Sequence, residues 1–293
     1  GKMNFDMFTT SIWSDFFNKF DASEDTTSFV EVQINKLKLD VNTLHFNKAL
    51  FHDVEIQHLE LKEQIDLHYV KAKGQGGDYY FENIKINNLD DGYSILTKGE
   101  LNRISVDKLL YEFDDFEQTY INSNQIKGEI SSAFKASFFI NPSKSFDLKS
   151  LTFNSDNSFQ HVKLIDYNYI AEIVDYFDES MITRNIVDIP YYKQKSKKII
   201  FKPFRNNMSF KDGKLNISPT YLENNMLNLN LKGTQTISDS VDYYMSFNWK
   251  EIKKRNKKEK EDYLEEKEEI KELFLRITGH IDDLNYKFDR EKM

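Results

Sequence analysis

Apolar residues along this chain fall mostly at alternate positions, and in three places the alternation slips by one. Val32-x-Ile34-x-x-Leu37-x-Leu39 recurs as Val54-x-Ile56-x-x-Leu59-x-Leu61 and, in part, as Ile84-x-Ile86-x-x-Leu89, with polar residues in nearly every gap. Successive side chains of a strand point to opposite faces. A step of two followed by a step of three therefore puts the second pair on the wrong side, unless a bulge absorbs the extra residue. The repeats predict a one-sided antiparallel sheet, bent and twisted at its bulges and internally repeated.

Other elements follow from the same pattern. Residues 9 to 20 read as a short amphipathic helix with Ile12, Trp13, Phe16, Phe17 and Phe20 on one stripe, best explained as a plug packed on the sheet. Strands are expected from about Phe29 to Leu61, Ile65 to Ala72, Tyr79 to Ile86 and Tyr93 to Ile104, with Gly74, Gly76 and Gly77 closing a hairpin. Ile104-Ser105-Val106-Asp107-Lys108-Leu109-Leu110 is echoed by Val162-Lys163-Leu164-Ile165-Asp166 followed by Tyr169-Ile170, Ile173-Val174 and Phe177. Each reads as a strand running into a capped helix, so the unit strand, helix, strand occurs at least twice. Beyond Lys197 the alternation is cleanest: Leu215 and Ile217, then Leu227, Leu229 and Leu231, then Tyr243, Met245, Phe247 and Trp249, then Leu275 and Ile277, an antiparallel meander. Between its last two blocks lies EIKKRNKKEKEDYLEEKEEIKE, a solvated helix or linker with almost no apolar stripe.

The domain reading is an N-terminal helix and linker over 1–27, β repeat units with short helices over 28–190, and a C-terminal meander over 191–293 interrupted by the charged insertion at 250–272. The fold class is mainly β with a few short helices. A single curved sheet and a β-sandwich satisfy the same alternation.

Composition narrows the partners. The 293 residues include 24 Phe and 16 Tyr against 10 Gly and 4 Pro, enough bulky side chains to exclude disorder. A net charge of −8 opposes non-specific binding to nucleic acid or to an anionic bilayer. The absence of Cys excludes disulfides, thiol catalysis and thiolate metal sites. No apolar run reaches the ~18–20 residues of a membrane helix, so any membrane anchor is expected in a segment outside this chain.

Candidate chemistry is thin. The six histidines, His45, His52, His58, His68, His161 and His280, have no metal-ligand spacing and read as solvated, so neither metal nor cofactor is expected. The acidic pairs Asp114/Asp115 and Asp282/Asp283 could in principle serve as acid and base, but they sit beside turns and are better read as caps. No nucleophile elbow, dinucleotide fingerprint or zinc-protease motif is present. The chain is read as a non-enzyme.

The strings NMSFKDGKLNISP (207–219), MLNLNLKGTQTISDSVDYYMSFNW (226–249) and LFLRITGHIDDLNYKFDREK (273–292) resemble the C-terminal region of AsmA-like proteins of the Bacteroidetes type. Upstream, ISVDKLLYEFDDF followed by QIKGEIS resembles that family's strand, helix and next strand. The resemblance implies a long, twisted, taco-like β-groove in a Gram-negative envelope protein, related to bacterial bridge-like lipid transfer proteins. It further implies a periplasmic location, inner-membrane anchoring of the full-length protein, transport of phospholipid or another acyl-chain lipid between the two membranes, and a part in outer-membrane biogenesis. The expected lipid-facing residues are Leu215, Ile217, Leu227, Leu229, Leu231, Tyr243, Met245, Phe247, Leu275 and Ile277. The competing reading is a non-catalytic envelope scaffold that holds protein partners through exposed aromatics or the Lys/Glu segment.

Overall fold

The structure, a computed structural model, describes residues 4–7, 37–46, 48–61, 64–89, 91–117, 120–141, 146–252 and 272–289. The helix expected at 9–20, the first apolar repeat up to Ile34 and most of the charged insertion lie outside them. The strands are β1 (Asn4–Met7), β2 (Leu37–Phe46), β3 (Ala49–Leu61), β4 (Gln64–Gly74), β5 (Gly77–Leu89), β6 (Gly92–Ser105), β7 (Ile126–Ile140), β8 (Phe146–Ile165), β9 (Lys198–Ile200), β10 (Phe204–Lys211), β11 (Lys214–Leu222), β12 (Leu229–Thr236), β13 (Ser240–Asn248), β14 (Glu272–His280) and β15 (Asp283–Asp289). The helices are α1 (Val106–Glu112), α2 (Asn168–Glu179), α3 (Ile189–Ser196) and α4 (Trp249–Ile252).

The protein is mainly β with short helices, as the alternation predicts. Hydrogen bonding orders the strands from β1 through β8 and then β10 through β15, with β9 also paired to β8. The order has two ends and does not close into a barrel. The chain divides into two compact units, 1–117 with 130–155 and 118–129 with 156–293. The boundary expected at 190/191 falls inside the second unit.

In the first unit the slipped alternation is real, but one slip sits elsewhere than expected. The β2–β3 register shifts between Leu37 and Leu39, opposite the three-residue step from Ile56 to Leu59. In β5 the shift lies between Glu82 and Lys85, so the working spacing is Tyr79-x-Phe81-x-x-Ile84-x-Ile86. From Lys85 to Leu89 the register is unbroken, and Leu89 is 48% exposed. Asn83 carries the irregularity at φ +53, a left-handed backbone that Asn tolerates better than most residues. β4 repeats the spacing as Ile65, Leu67, Val70 and Ala72, and these pair with Ile86, Ile84, Phe81 and Tyr79, so the two strands change phase together.

The β4–β5 hairpin turns at Gln75 and Gly76, φ +48 and +84, a type I′ geometry that suits the strand twist. Gln75 is buried and anchors α1. Its side chain donates to Glu112 and accepts from the Tyr79 hydroxyl, while its carbonyl accepts the Ser105 N–H at 2.9 Å. Gly99 leaves the space that the Phe134 ring fills, since a Cβ there would lie 2.4 Å from Cζ. On the polar side, Glu55 accepts from Lys38, Gln57 and Tyr69 at 2.9, 2.7 and 2.9 Å, which holds its carboxyl down to about 2.

In the second unit, α2 presents Ile170, Ile173, Val174 and Phe177 at helical spacing, a single apolar stripe. Neither α1 nor α2 has the side-chain cap expected from sequence. α3 has one: Asp188 accepts the Tyr191 N–H at 3.3 Å, with Pro190 in the first turn. Fully buried Thr183 donates to the Phe177 carbonyl at 2.7 Å, satisfying a group that the end of α2 would otherwise strand. The Tyr192 hydroxyl donates to the Glu251 carbonyl at 2.8 Å and ties α3 to α4.

Replacing Asn83 by Val should cost about 1–2 kcal/mol, the penalty of a left-handed backbone for a branched residue, while Asn83→Gly should stay within about 0.5 kcal/mol of the parent. Denaturant midpoints of the two variants check this.

Candidate functional site

Four cross-strand rows line one face of the second unit's sheet. They run Leu215–Gln235–Val241–Gly279–Leu284, then Ile217–Gly233–Tyr243–Ile277–Tyr286, then Thr220–Leu231–Met245–Leu275–Phe288, and last Leu222–Leu229–Phe247–Leu273. A register shift between Ile217 and Thr220 keeps β11 in phase across them. Rows of the opposite face are polar: Arg276 grips Asp242 with two 2.9 Å hydrogen bonds and lies 4.9 Å from the Tyr244 ring centroid.

α2 and α3 cover the apolar face. Ile173, Val174, Phe177, Val187, Ile189 and Tyr192 form one core with Leu227, Phe247, Ile252, Leu275 and Ile277. The covering layer is helical, not a second sheet. The helices do not fill the face completely, and a cavity of about 260 Å³ remains between α2 and the strands. Ile170, Ile173 and Phe177 of the helix close it from one side.

Eight residues expected to face lipid meet around this cavity: Ile217, Leu227, Leu229, Leu231, Tyr243, Met245, Phe247 and Ile277. The other two stand apart. Leu275 is fully buried in the core beneath α2, and Leu215 sits in the first row beside Gln235. Alternation did not point to Tyr167, Tyr169, Val241, Ile281, Leu284 or Tyr286, which also line it. The α2 stripe was visible as a helix, but no local pattern says which face of the sheet it will cover.

Apart from the tyrosine hydroxyls, the lining is almost wholly apolar, with Asn224 the amide present. Asn224 is occupied in the loop before β12, where its side chain accepts from Met226 and Leu227 at 2.8 and 2.9 Å and donates to the Leu227 carbonyl. Tyr243 donates to Gln235 at 2.9 Å, and burial pushes its hydroxyl up to about 12. Burial likewise raises Tyr167 and Tyr169, and Tyr286 is raised by burial and by its 2.8 Å hydrogen bond to Glu172. Gly233 makes room for Tyr243, since a Cβ there would lie 2.3 Å from the ring.

Asp114 pairs with Lys48, and Asp282 and Asp283 sit at the β14–β15 turn. Among the described residues no three metal-ligating side chains converge, and no helix is long and apolar enough to cross a membrane. No protein-family model, curated protein or solved structure matches the chain. The site is therefore read from its own residues.

Tyr243 titrates higher when folded than the value near 10 of an unfolded tyrosine, so its contribution to stability is complete below pH 10 and is lost as pH rises towards 12. Unfolding free energies measured below pH 10 and at about pH 11 should show this alkaline loss, and Tyr243→Phe should reduce it.

Proposed function

We propose that the second unit is a lipid-handling module that takes one acyl chain, or a ligand of similar shape, into the cavity between α2 and the sheet. The observation that carries this is the convergence of residues chosen only for their alternation, from Ile217 to Ile277, on one apolar cavity. An acyl chain in water costs about 0.8 kcal/mol per methylene, and a lining of Leu, Ile, Met and Phe removes that cost without directional bonds.

Volume sets the number of chains. An apolar cavity of about 150 Å³ stays dry and accepts benzene. The 260 Å³ here is less than twice that, room for a length of one chain and too little for two. Lipid moving along the sheet would require α2 to lift from it, so the covered form holds a chain. Such a module suits a periplasmic AsmA-like protein that passes acyl-chain lipid between membranes, with the covered state as a resting or loaded state.

The environment-sensitive dye N-phenylnaphthylamine should bind the chain and brighten, and native mass spectrometry should find an apolar ligand in protein purified without detergent. Met245→Trp, which narrows the cavity with a rigid indole, should weaken dye binding at least about tenfold without lowering the melting temperature. Unchanged dye binding in a folded Met245→Trp variant would remove the cavity from the reading.

A further inference from the structure

The two ends of the cavity differ in chemistry. At one end Phe177, near the C-terminus of α2, lies 5.6 Å from the Phe247 ring, in the row that also holds Leu222 and Leu229, and Asn224 is the one amide of the lining. At the other end the start of α2 brings Tyr167 and Tyr169, their rings 5.4 Å apart, towards the rows that hold Tyr243 and Tyr286. An amphiphile entering this cavity has one place for its tail and one for its head.

The charges around the tyrosine end are negative. Glu172 lies one turn into α2 and accepts from Tyr286 at 2.8 Å. Asp239 and Asp282 flank the same end: the Asp239 carbonyl accepts the Ile281 N–H at 2.9 Å, and Asp282 lies 3.4 Å from His280. Asp282, Glu172 and Asp239 all act on Tyr169, behind burial as the main cause of its raised hydroxyl. The lysines nearest this end line a different pocket. Lys193 and Lys197 line it with Tyr167, Asn168, Ala171 and Asp175, on the face of α2 opposite Ile170, Ile173 and Phe177, and Lys193 is 3.0 Å from Asp175. Arg276 is on the other face of the sheet, held by Asp242. The helix start adds a partial positive charge, outweighed by the full negative charge of Glu172.

We propose that the cavity selects single-chain amphiphiles whose head carries no negative charge, the tyrosine hydroxyls binding a hydroxyl or carbonyl head, the tyrosine rings and carboxylates attracting a cationic one, and the carboxylates repelling carboxylate and phosphate. The proposal rests on the cavity reading above and goes beyond it in naming the head group. A buried anion without a paired cation is costly, whereas a neutral head exchanges water for tyrosine hydrogen bonds.

Four probes with one chain length test it: decanol, decyltrimethylammonium, decanoate and decyl phosphate, each displacing N-phenylnaphthylamine from the full chain at neutral pH. Decanol and decyltrimethylammonium should displace the dye at concentrations at least about tenfold lower than the two anions require, and Glu172→Gln should narrow the ratio between decanoate and decanol. Equal displacement by all four, or tighter binding of the anions, overturns the head-group assignment and leaves the cavity as an acyl-chain site. Failure of the dye and of every probe to bind overturns both.

Discussion

Packing of one helical stripe against one face of a sheet organises the second unit. Ile173, Val174 and Phe177 are almost wholly removed from water by the rows that contain Phe247, Leu275 and Ile277. Burial of side chains this size is worth roughly 1.5–3 kcal/mol each, more than the hydrogen bonds that accompany it, such as Thr183 to Phe177 or Tyr192 to Glu251. The cavity is a by-product of that packing. A helix is a cylinder and a twisted sheet is a saddle, so the two do not mate along their whole length, and Ile170, Ile173 and Phe177 line the space left between them.

The first unit solves a different problem with the same alphabet. Its long strands stay one-sided by changing phase in step, β4 at His68 and β5 at Asn83, so that Leu67 faces Ile84 and Val70 faces Phe81 on either side of the change. α1 is then fixed to the hairpin by polar contacts of Gln75 and Tyr79. In each unit a short helix follows a strand end, yet one is held mainly by apolar area and the other by a buried hydrogen-bonded turn.

How much of this was legible follows from the range of each interaction. Leu229, Leu231, Tyr243, Met245 and Phe247 announce their face because alternation is a property of neighbours two apart, and the face they share carries the cavity. Helix α2 announced itself through Ile170, Ile173, Val174 and Phe177, but its seat on residues 50 to 110 positions later has no local trace. The slip assigned to Ile86 and Leu89 belongs to Phe81 and Ile84, because spacing alone weighs the two equally and backbone tolerance at Asn83 decides. Trp249 reads as the next member of an alternating strand. It starts α4 instead, because the Asn248 side chain accepts the Lys250 N–H at 2.8 Å and turns the chain into a helix.

Gly233 and Gly99 have no side chains, and each seats an aromatic ring directly on the main chain. For Tyr243 this means that the ring's height above the sheet is fixed by peptide atoms, which cannot change rotamer, and so the gauge of the chamber is set by the ladder itself. Exchanging one lining aliphatic for another would then retune the shape of the guest, while the headroom above β12 would stay constant as long as position 233 remains bare.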